Sequence, residues 1–365
     1  LWDAFTQSWY REQKRKSGFS LFLFNIAMFW AKGFSWAHDR VCGWICCFST
    51  GQKILDRIIG FIPFVLIAPI AGLGYLTVVR KLRRKFGTRI KACVCGGGSL
   101  QPENDLIFRA LRIPLLDRYG MTETAPILSV RSPKKPMSGC VGKIYPSAEV
   151  KVVPEKDGVP LSSTPLGPGK RGLIFARGRQ VMKGYYRRPD LTKKIIDNEG
   201  WINTGDLGML SSNNEIAITG RAKDTIVLMG GENVEPQIIE NAICRSIYVE
   251  SCVAVGQDKK YIGALIVCRK DNILHFAKEN NIYYDTYETL LETSEIQNLI
   301  REEIDRFTDE KNGFRTCEKV AKFIILPESF QIGKEINAKQ IVMRHNIEKL
   351  YAREITKLFA SKSNR

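Results

Sequence analysis

Histidine is scarce in this chain and so are the pairings that mark metal and hydrolase sites. The 365 residues contain three histidines, at scattered positions: His38, His275 and His345. None of the ten cysteines forms a C-x-x-C pair, and no G-x-S-x-G turn occurs. These absences argue against a His/Cys metal centre and against a Ser-His-Asp hydrolase.

The cysteines lie mostly in apolar runs, such as that of residues 90–95, which is typical of reduced, buried thiols in a protein that faces the cytosol. No basic, apolar, small-residue signal peptide follows Leu1, and the first residue is not Met. We therefore expect a fragment or a processed product. The length is compatible with about two domains.

Positive charge is concentrated in the first quarter of the chain. Residues 1–92 carry 15 Lys and Arg against 4 Asp and Glu, which is most of the net charge of +17.

The same quarter is apolar, and its pattern up to residue 57 predicts an amphipathic helix. The stretch Ile58–Val79 has 22 residues without a formal charge, but prolines and glycines interrupt it and both flanks are basic. It is compatible with a membrane span, an interfacial hairpin or a buried core segment. A basic apolar segment favours an anionic membrane surface, and a soluble basic face is the alternative.

From Ile90 onward the pattern changes to alternating strands and helices, which predicts an α/β or α+β fold. Predicted strands are Ile90–Cys95, Ile113–Asp117, Glu149–Val153, Gly172–Ala176, Glu215–Thr219, Val249–Val255 and Ile262–Cys268. Predicted helices are Pro102–Leu111, Glu235–Ser246, Glu292–Phe307 and Val342–Phe359.

Two early segments carry groups suited to a nucleotide. Gly96–Ser99 follows a predicted strand, and its glycines let a ligand approach backbone N–H groups, although a plain turn is equally compatible. Tyr119–Thr124 offers a ring for stacking, threonine hydroxyls for phosphate oxygens and a glutamate for Mg²⁺. A helix cap is the alternative for the second segment.

Two later segments add complementary groups. Asp206 stands in a glycine-flanked loop and suits a diol such as ribose, with an ordinary β-turn as the alternative. Arg221 presents a planar fork for ribose or phosphate, with a surface salt-bridge cluster as the alternative. The glycines of Met229–Pro236 indicate a tight turn after a hinge.

Taken together and in this order, the four segments resemble the acyl-adenylate-forming enzymes. Val181–Tyr186 and Gly230–Pro236 are similar to strings of the long-chain fatty acyl-CoA synthetase branch. The resemblance, which covers roughly residues 90–350, implies the C-terminal part of a large α/β adenylate-forming domain with mixed sheets over residues 1–220. Within it, charge and composition make residues 1–92 the basic, apolar, membrane-facing segment. The resemblance further implies a small α+β C-terminal lid over residues 221–365.

The resemblance also implies site roles and cofactors. ATP and AMP would be bound by Gly97, Gly98, Tyr119, Gly120, Thr122, Asp206 and Arg221. Catalysis would involve Thr122, Glu123 and Lys339, with Glu123 on Mg²⁺, Lys223 as the hinge, and Gly230, Gly231 and Glu232 in the loop on the CoA side. The implied reaction is ATP-dependent activation of a fatty acid to acyl-AMP, followed by transfer to CoA.

Two departures from the family pattern stand out. The Ser/Thr/Gly-rich phosphate loop that ends in Lys is absent, and Ser49–Lys53 is a faint echo of it. We therefore expect this chain alone to be inactive. The second departure concerns the lysine that the family carries in its C-terminal lid. Aligning Arg344 with the family places Asn337 at the family's Thr and Ile341 at this Lys. Lys339 and Lys334 are the nearest ammonium groups.

The sequence therefore predicts a long-chain fatty acid–CoA ligase on the cytoplasmic side of a membrane, peripheral or partly inserted. Transfer to an acyl carrier protein is the alternative acceptor reaction, and a non-catalytic scaffold is the alternative from another class. Nucleic-acid binding would depend on charge alone, since no reader motif is present, and we do not expect it.

Overall fold

The computed structural model describes residues 18–97, 100, 102–338 and 341–360. The chain divides into two compact units, Leu1–Ile218 and Thr219–Arg365. The division falls two residues before the boundary predicted from the sequence. All ten cysteines are free thiols.

The first unit begins with a helical hairpin. Helix α1 spans Gly18–Val41 and helix α2 spans Thr50–Gly74. A π-helical turn, Tyr75–Val79, and helix α3, Arg80–Phe86, continue α2 without a break. The two arms pack closely because small residues stand at the contacts, as where Gly74 meets Ala27. The helix predicted over residues 1–57 is thus interrupted between 42 and 49, and residues 1–17 lie outside the described part.

A mixed sheet follows, in the order β1-β2-β3-β4. Its strands are β1 Cys93–Gly96, β2 Leu115–Tyr119, β3 Ser129–Val130 and β4 Lys143–Ile144. Strands β1 and β2 are parallel and are joined through helix α4, Pro102–Ala110. Apolar side chains of α4 and β2, among them Phe108 and Leu115, form one core cluster with Phe24 and Met28 of α1. The hairpin is therefore anchored to the sheet by buried apolar contacts.

A second sheet has the order β10-β9-β8-β5. Its strands are β5 Ala148–Val153, β8 Gly172–Gly178, β9 Ile202–Leu210 and β10 Ile216–Arg221. The short hairpin of β6, Glu155–Lys156, and β7, Val159–Pro160, lies between β5 and β8, and helix α5, Pro189–Ile195, precedes β9. Strand β8 pairs antiparallel with both β5 and β9.

The second unit is α+β. A two-stranded hairpin, β11 Ile226–Val227 and β12 Asn233–Val234, leads into helix α6, Pro236–Ile243. The three-stranded sheet contains β13 Val249–Val255, β14 Ile262–Cys268 and β15 Val320–Leu326. Helices α7 Lys270–Glu279, α8 Tyr287–Glu292 and α9 Ser294–Phe307 come between β14 and β15, and α10 Arg344–Leu350 and α11 Ala352–Phe359 follow β15.

The central position of β14 in that sheet explains why its sequence is apolar without interruption. Every residue of β14 is buried. Ala264 and Ile266 face the cluster that includes α6 and α9, whereas Leu265 and Val267 face the cluster that includes α10 and α11. Helices thus cover both faces, and a strand covered on both faces need not alternate in polarity.

The sequence prediction of one last helix over Val342–Phe359 was wrong in one respect, because the helix breaks at Tyr351. The Tyr351 ring packs near Phe330, and its hydroxyl donates to Glu335 at 3.2 Å. The apolar stripe continues through the break, so periodicity alone did not reveal it.

Candidate functional site

Two of the predicted segments lie at one edge of the first sheet. Gly97 follows β1 directly, and Tyr119 ends β2. Since β1 and β2 are parallel, their carboxyl ends lie at the same edge, where ligands of open α/β sheets usually bind. Gly97 is exposed with open space around it. Gly120 is close-packed instead, because a Cβ there would lie 1.8 Å from the carbonyl oxygen of Pro126.

Tyr119 and Asp206, which are 87 residues apart in the sequence, meet directly. The Tyr119 hydroxyl donates to Asp206 Oδ2 at 2.9 Å. Asp206 is 7% exposed, and the Tyr119 ring packs against Leu128 and Ile202. A charged acceptor makes this a strong type of hydrogen bond. The contact joins the end of β2 in the first sheet to β9 in the second.

An irregularity in β9 positions Asp206. The β8–β9 register shifts between Leu173 and Phe175, whose partners are Leu207 and Asn203, so β9 contains extra residues at this point. Gly205 adopts φ +71°, its N–H donates to Asn203 Oδ1 at 2.9 Å, and the Asp206 N–H donates to Thr204 Oγ1 at 3.2 Å. Bulges of this kind redirect a side chain, here the Asp206 carboxylate toward Tyr119.

The loop after Tyr119 is tied to the loop after β8. Thr122–Thr124 form a 3₁₀ turn, and the Glu123 carbonyl accepts the Met182 N–H at 2.8 Å. The Tyr185 hydroxyl donates to Glu123 Oε1 at 2.7 Å. Glu123 is half-buried, whereas Thr122 is exposed. The predicted glutamate is therefore held in place from two directions.

Tyr185 is the site residue that sequence reasoning missed. Its only signal in the sequence is its place in the string Val181–Tyr186, which carries part of the family resemblance. The hydrogen bond to Glu123 raises the pKa of Tyr185, with smaller contributions from burial and from the Glu123 charge. The hydroxyl therefore stays protonated and remains a donor at neutral pH. A shallow depression of about 430 Å³ beside it is lined by Lys183, Lys193 and their neighbours.

The donor set around Glu123 fits Mg²⁺ only in part. No group of three or more His, Cys, Asp or Glu side chains that could hold a metal occurs among the described residues. Glu123 thus offers a carboxylate without a complete protein cage. This fits the habit of Mg²⁺, which is often held by one or two carboxylates together with substrate phosphates and water.

Arg221 and Lys223 lie in the second unit. Arg221 ends β10, and its carbonyl accepts the N–H groups of Asp224 and Thr225 at 3.0 and 3.2 Å, which closes a tight turn. Thr225 Oγ1 also donates to Glu235 Oε1 at 3.0 Å. Both cationic side chains are exposed at this turn. The predicted hinge residue is therefore two residues beyond the end of a strand.

The predicted CoA-side loop is the turn between β11 and β12. Gly231 adopts φ +83° there, and its N–H donates to the Leu228 carbonyl at 2.8 Å. The Glu232 carbonyl accepts the Leu228 N–H at 3.0 Å. Gly230, Gly231 and Glu232 are all exposed, as is Met229. The loop thus presents backbone and one apolar side chain to solvent.

Several predicted residues do not join these clusters. Gly98 and Lys339 lie outside the described residues. Asn337 Oδ1 accepts the Ile341 N–H at 3.1 Å, and no ammonium group stands at either of these two positions. Ser49 is the N-cap of α2, and its side chain accepts the Gln52 N–H at 3.2 Å. The segment Ser49–Lys53, which faintly resembles a phosphate loop, is therefore the start of a helix.

A larger cavity, of about 450 Å³, lies away from this site, between the helical hairpin and the sheet. Pro114, which lines it, immediately precedes β2, so the cavity lies toward the end of β2 opposite Tyr119. An ionic network stands beside it. The Arg109 guanidinium donates to Asp39 at 2.9 Å and lies 3.2 Å from Asp105. These buried charges compensate one another, which fits a structural role.

Comparison with known proteins decides the family. Residues 57–186 match the family model described as AMP-binding enzyme. Residues 223–363 match the model described as AMP-binding enzyme C-terminal domain. The chain belongs to the AMP-binding, adenylate-forming enzymes. The α/β fold that the sequence predicted is confirmed as well, since the structural neighbours are adenylation domains.

Relatives of this AMP-binding chain are named for the activation or ligation of acyl groups. It is 34% identical over 332 residues to probable acyl-activating enzyme 16, chloroplastic, of Arabidopsis thaliana, covering 86% of the chain and 44% of that protein. It is 32% identical over 334 residues to long-chain-fatty-acid–[acyl-carrier-protein] ligase AEE15, chloroplastic, of the same plant, covering 86% and 43%. Long chain acyl-CoA synthetase 7, peroxisomal, also from Arabidopsis thaliana, is 27% identical over 290 residues, covering 78% and 40%.

A solved structure supports the fold alone. The adenylation domain of a carboxylate reductase from Mycobacterium chelonae has a TM-score of 0.64 and 20% identity, covering 81% of this chain and 42% of that one. The chain therefore spans less than half the length of the relatives that it matches.

Proposed function

We propose that this chain belongs to a ligase that activates a long-chain fatty acid with ATP and transfers the acyl group to a thiol. The observation that carries the proposal is the Tyr119–Asp206 hydrogen bond of 2.9 Å at the carboxyl edge of the parallel strands. It joins two segments that the sequence had assigned separately to nucleotide binding. The family membership and the names of the relatives support the reaction class.

In the proposed first step, a carboxylate oxygen of the fatty acid attacks the α-phosphorus of ATP. The bond from that phosphorus to the bridging oxygen breaks, and pyrophosphate leaves with the electron pair. The Asp206 carboxylate, oriented by Tyr119, would accept hydrogen bonds from the ribose hydroxyls. Thr122 would donate a hydrogen bond to a phosphate oxygen. Mg²⁺ held by Glu123 and the phosphates would offset the negative charge of the reacting group.

In the second step, a thiolate attacks the acyl carbonyl carbon, and AMP leaves. Tyr185 keeps Glu123 in place because its donated hydrogen bond fixes one carboxylate oxygen, and the other oxygen would be available to Mg²⁺. We assign the exposed turn Gly230–Glu232 of the second unit to binding of the thiol substrate.

The acceptor thiol has two candidates. The relative named long-chain acyl-CoA synthetase 7 favours CoA, and the relative named as an acyl-carrier-protein ligase favours a carrier protein. Acyl carrier proteins are acidic, so the chain's net charge of +17 is compatible with the second candidate as well. We keep CoA as the leading acceptor and test both.

The test is fatty-acid-dependent exchange between ATP and labelled pyrophosphate, using the whole protein that contains this chain. Exchange that requires a long-chain fatty acid supports adenylation. Its absence, with fully folded protein, would favour a non-catalytic scaffold. The 365-residue chain alone is expected to be inactive, because its sequence has no phosphate loop. Supplying acyl-AMP with CoA or with carrier protein then identifies the acceptor.

A further inference from the structure

The outward side of the helical hairpin is apolar over most of its length. Fifteen large apolar side chains are 40–68% exposed there; we call them the apolar face: Phe22, Leu23, Ile26, Phe29, Ile54, Leu55, Ile58, Ile59, Phe61, Ile62, Val65, Leu66, Ile70, Leu73 and Leu76. Most belong to α2. The four from α1 lie in its N-terminal half, beside the C-terminal end of α2, where Gly74 packs against Ala27.

Such a face is unusual for a protein surface in water. The helical segment Thr50–Phe86 is 37 residues long, and in its most apolar window 11% of the residues are buried. By length and composition alone it could cross a membrane. Apolar patches of this extent on soluble proteins mark surfaces that bind a partner or a membrane. Within the described residues, most side chains of Ile58–Val79 are therefore not part of a buried core.

Positive charge continues directly from the apolar face. Arg80, Lys81, Arg84 and Lys85 are exposed on α3, which extends α2 without a break, and no acidic residue lies between Ile58 and Ile90. At the other end Arg57 is exposed. An apolar stripe that ends in a basic cluster complements the interface of an anionic bilayer, where acyl chains and negative headgroups adjoin.

The inward side of the same helices carries polar groups, which argues against a simple membrane span. Gly60, near the start of the apolar stretch, lies against the Arg40 side chain. Arg40 is 3.5 Å from Asp56, and the neighbouring Asp39 binds Arg109 at 2.9 Å. Spanning would place these charges in hydrocarbon at a cost of several kcal/mol each.

Both ends of the apolar stretch are also fixed to the sheet or to α1. Val79 and Leu82 are buried in the cluster that contains Phe108 and Leu115. Separating the π-helical turn and α3 from this cluster would expose a packed core. Only the outward side can therefore meet lipid while the unit remains folded.

We propose that the apolar face docks into the interface of an anionic lipid bilayer, with α2 lying in the membrane plane and the basic cluster of α3 on the headgroups. The occupant is thus a lipid surface. A second copy of the chain or another segment of a longer chain are outcomes of the test. Docking does not depend on the proposed ligase activity, and its assay needs no turnover.

The first experiment measures binding to vesicles of phosphatidylcholine containing 30% phosphatidylserine, by flotation, for the whole protein. The variant Ile62→Glu/Leu66→Glu places two charges on the apolar face, and binding should weaken at least about tenfold because buried carboxylates are costly in lipid. The matched control is Val159→Glu/Leu161→Glu, which alters two equally exposed apolar residues in the β6–β7 hairpin. Its binding should be unchanged.

The second experiment tests whether the basic cluster of α3 contributes to binding. Arg80→Gln/Lys81→Gln should weaken binding to the anionic vesicles about fivefold per charge removed, since each basic residue near such a surface contributes about 1 kcal/mol. On pure phosphatidylcholine vesicles the same variant should behave like the parent. Lys259→Gln/Lys260→Gln, at an exposed pair in the other unit, is the control with equal charge loss.

The depth of the apolar face in the bilayer distinguishes docking from spanning. In a Leu66→Trp variant, the added fluorescence should be quenched by bromine near the headgroups more than by bromine at the chain ends. Stronger quenching at the bilayer centre would contradict the in-plane orientation. Failure of the folded whole protein to bind vesicles, or a lipid-free dimer that Ile62→Glu/Leu66→Glu abolishes, would overturn the proposal in favour of a protein partner. Circular dichroism confirms that each variant is folded.

Discussion

Removing one oxygen atom tests how the candidate site is held together. Tyr119→Phe keeps the ring, which packs against Leu128 and Ile202, and deletes only the hydroxyl that donates to Asp206 at 2.9 Å. Asp206 is a 7% exposed carboxylate, so water cannot easily replace the lost donor. The carboxylate is then expected to turn away from its present orientation.

The size of the expected change in affinity for AMP follows from the type of hydrogen bond that is lost. Hydrogen bonds to charged groups contribute about 1.5–3 kcal/mol, and 1.4 kcal/mol corresponds to a tenfold change in affinity. If Tyr119 orients Asp206 toward ribose, the Kd for AMP should rise about tenfold in the variant. The preference of the whole protein for AMP over 2′,3′-dideoxy-AMP should shrink by a similar factor. Isothermal titration calorimetry measures both.

The control is Tyr145→Phe, which removes a hydroxyl from an exposed tyrosine of the same unit. It should leave both affinities unchanged. The reasoning is refuted if Tyr119→Phe binds AMP and the dideoxy analogue with the parent's affinities. An equal loss for both ligands would mean that the hydroxyl supports the fold without orienting Asp206 toward a diol.

Three further predictions concern packing and reactivity. Arg344→Met should destabilise the second unit by about 3–5 kcal/mol in urea unfolding, because the mostly buried Glu240 carboxylate loses its cationic partner at 2.5 Å and keeps only the Ala254 N–H. Adding Glu240→Gln should recover much of the loss. Burial next to a carboxylate raises the pKa of Cys95 to about 12, so a maleimide at pH 8 should label it at least about a hundredfold more slowly than the exposed Cys42, by peptide mass spectrometry. Gly120→Ala should lower the thermal midpoint by several degrees, because its Cβ would overlap a carbonyl oxygen; a midpoint equal to the parent's would contradict the geometry.

The fold class and family could be predicted from the sequence because the informative signals are local. The strands β13 and β14 coincide with their predicted bounds, Val249–Val255 and Ile262–Cys268, since each is a single apolar run between turns. Boundaries were less accurate where tertiary contacts decide them. Strand β1 covers Cys93–Gly96 where the apolar run had suggested Ile90–Cys95.

The candidate site was predictable as separate residues and not as an arrangement. Spacing could not show that Tyr119 reaches Asp206, because the contact depends on a bulge in β9. Tyr185 was missed for the same reason, as its partner Glu123 is 62 residues away. The assignments of Arg221 and of the lid lysine stay predictions.

The apolar stretch shows a different limit of sequence reasoning. Composition left a span, an interfacial hairpin and a core segment open for Ile58–Val79. The inward contact of Gly60 with Arg40, on which the docking proposal draws, joins residues 20 positions apart and leaves no periodic trace.

The central claim is that this chain contributes the ribose side of an adenylate-forming site. The most direct measurement is fatty-acid-dependent ATP–pyrophosphate exchange by the whole protein, its Asp206→Asn variant and the control Asp157→Asn, which alters an exposed turn residue. We expect exchange in the parent and the control and at least about a hundredfold loss in Asp206→Asn, chiefly through the KM for ATP. Parental exchange by a folded Asp206→Asn variant would contradict the claim.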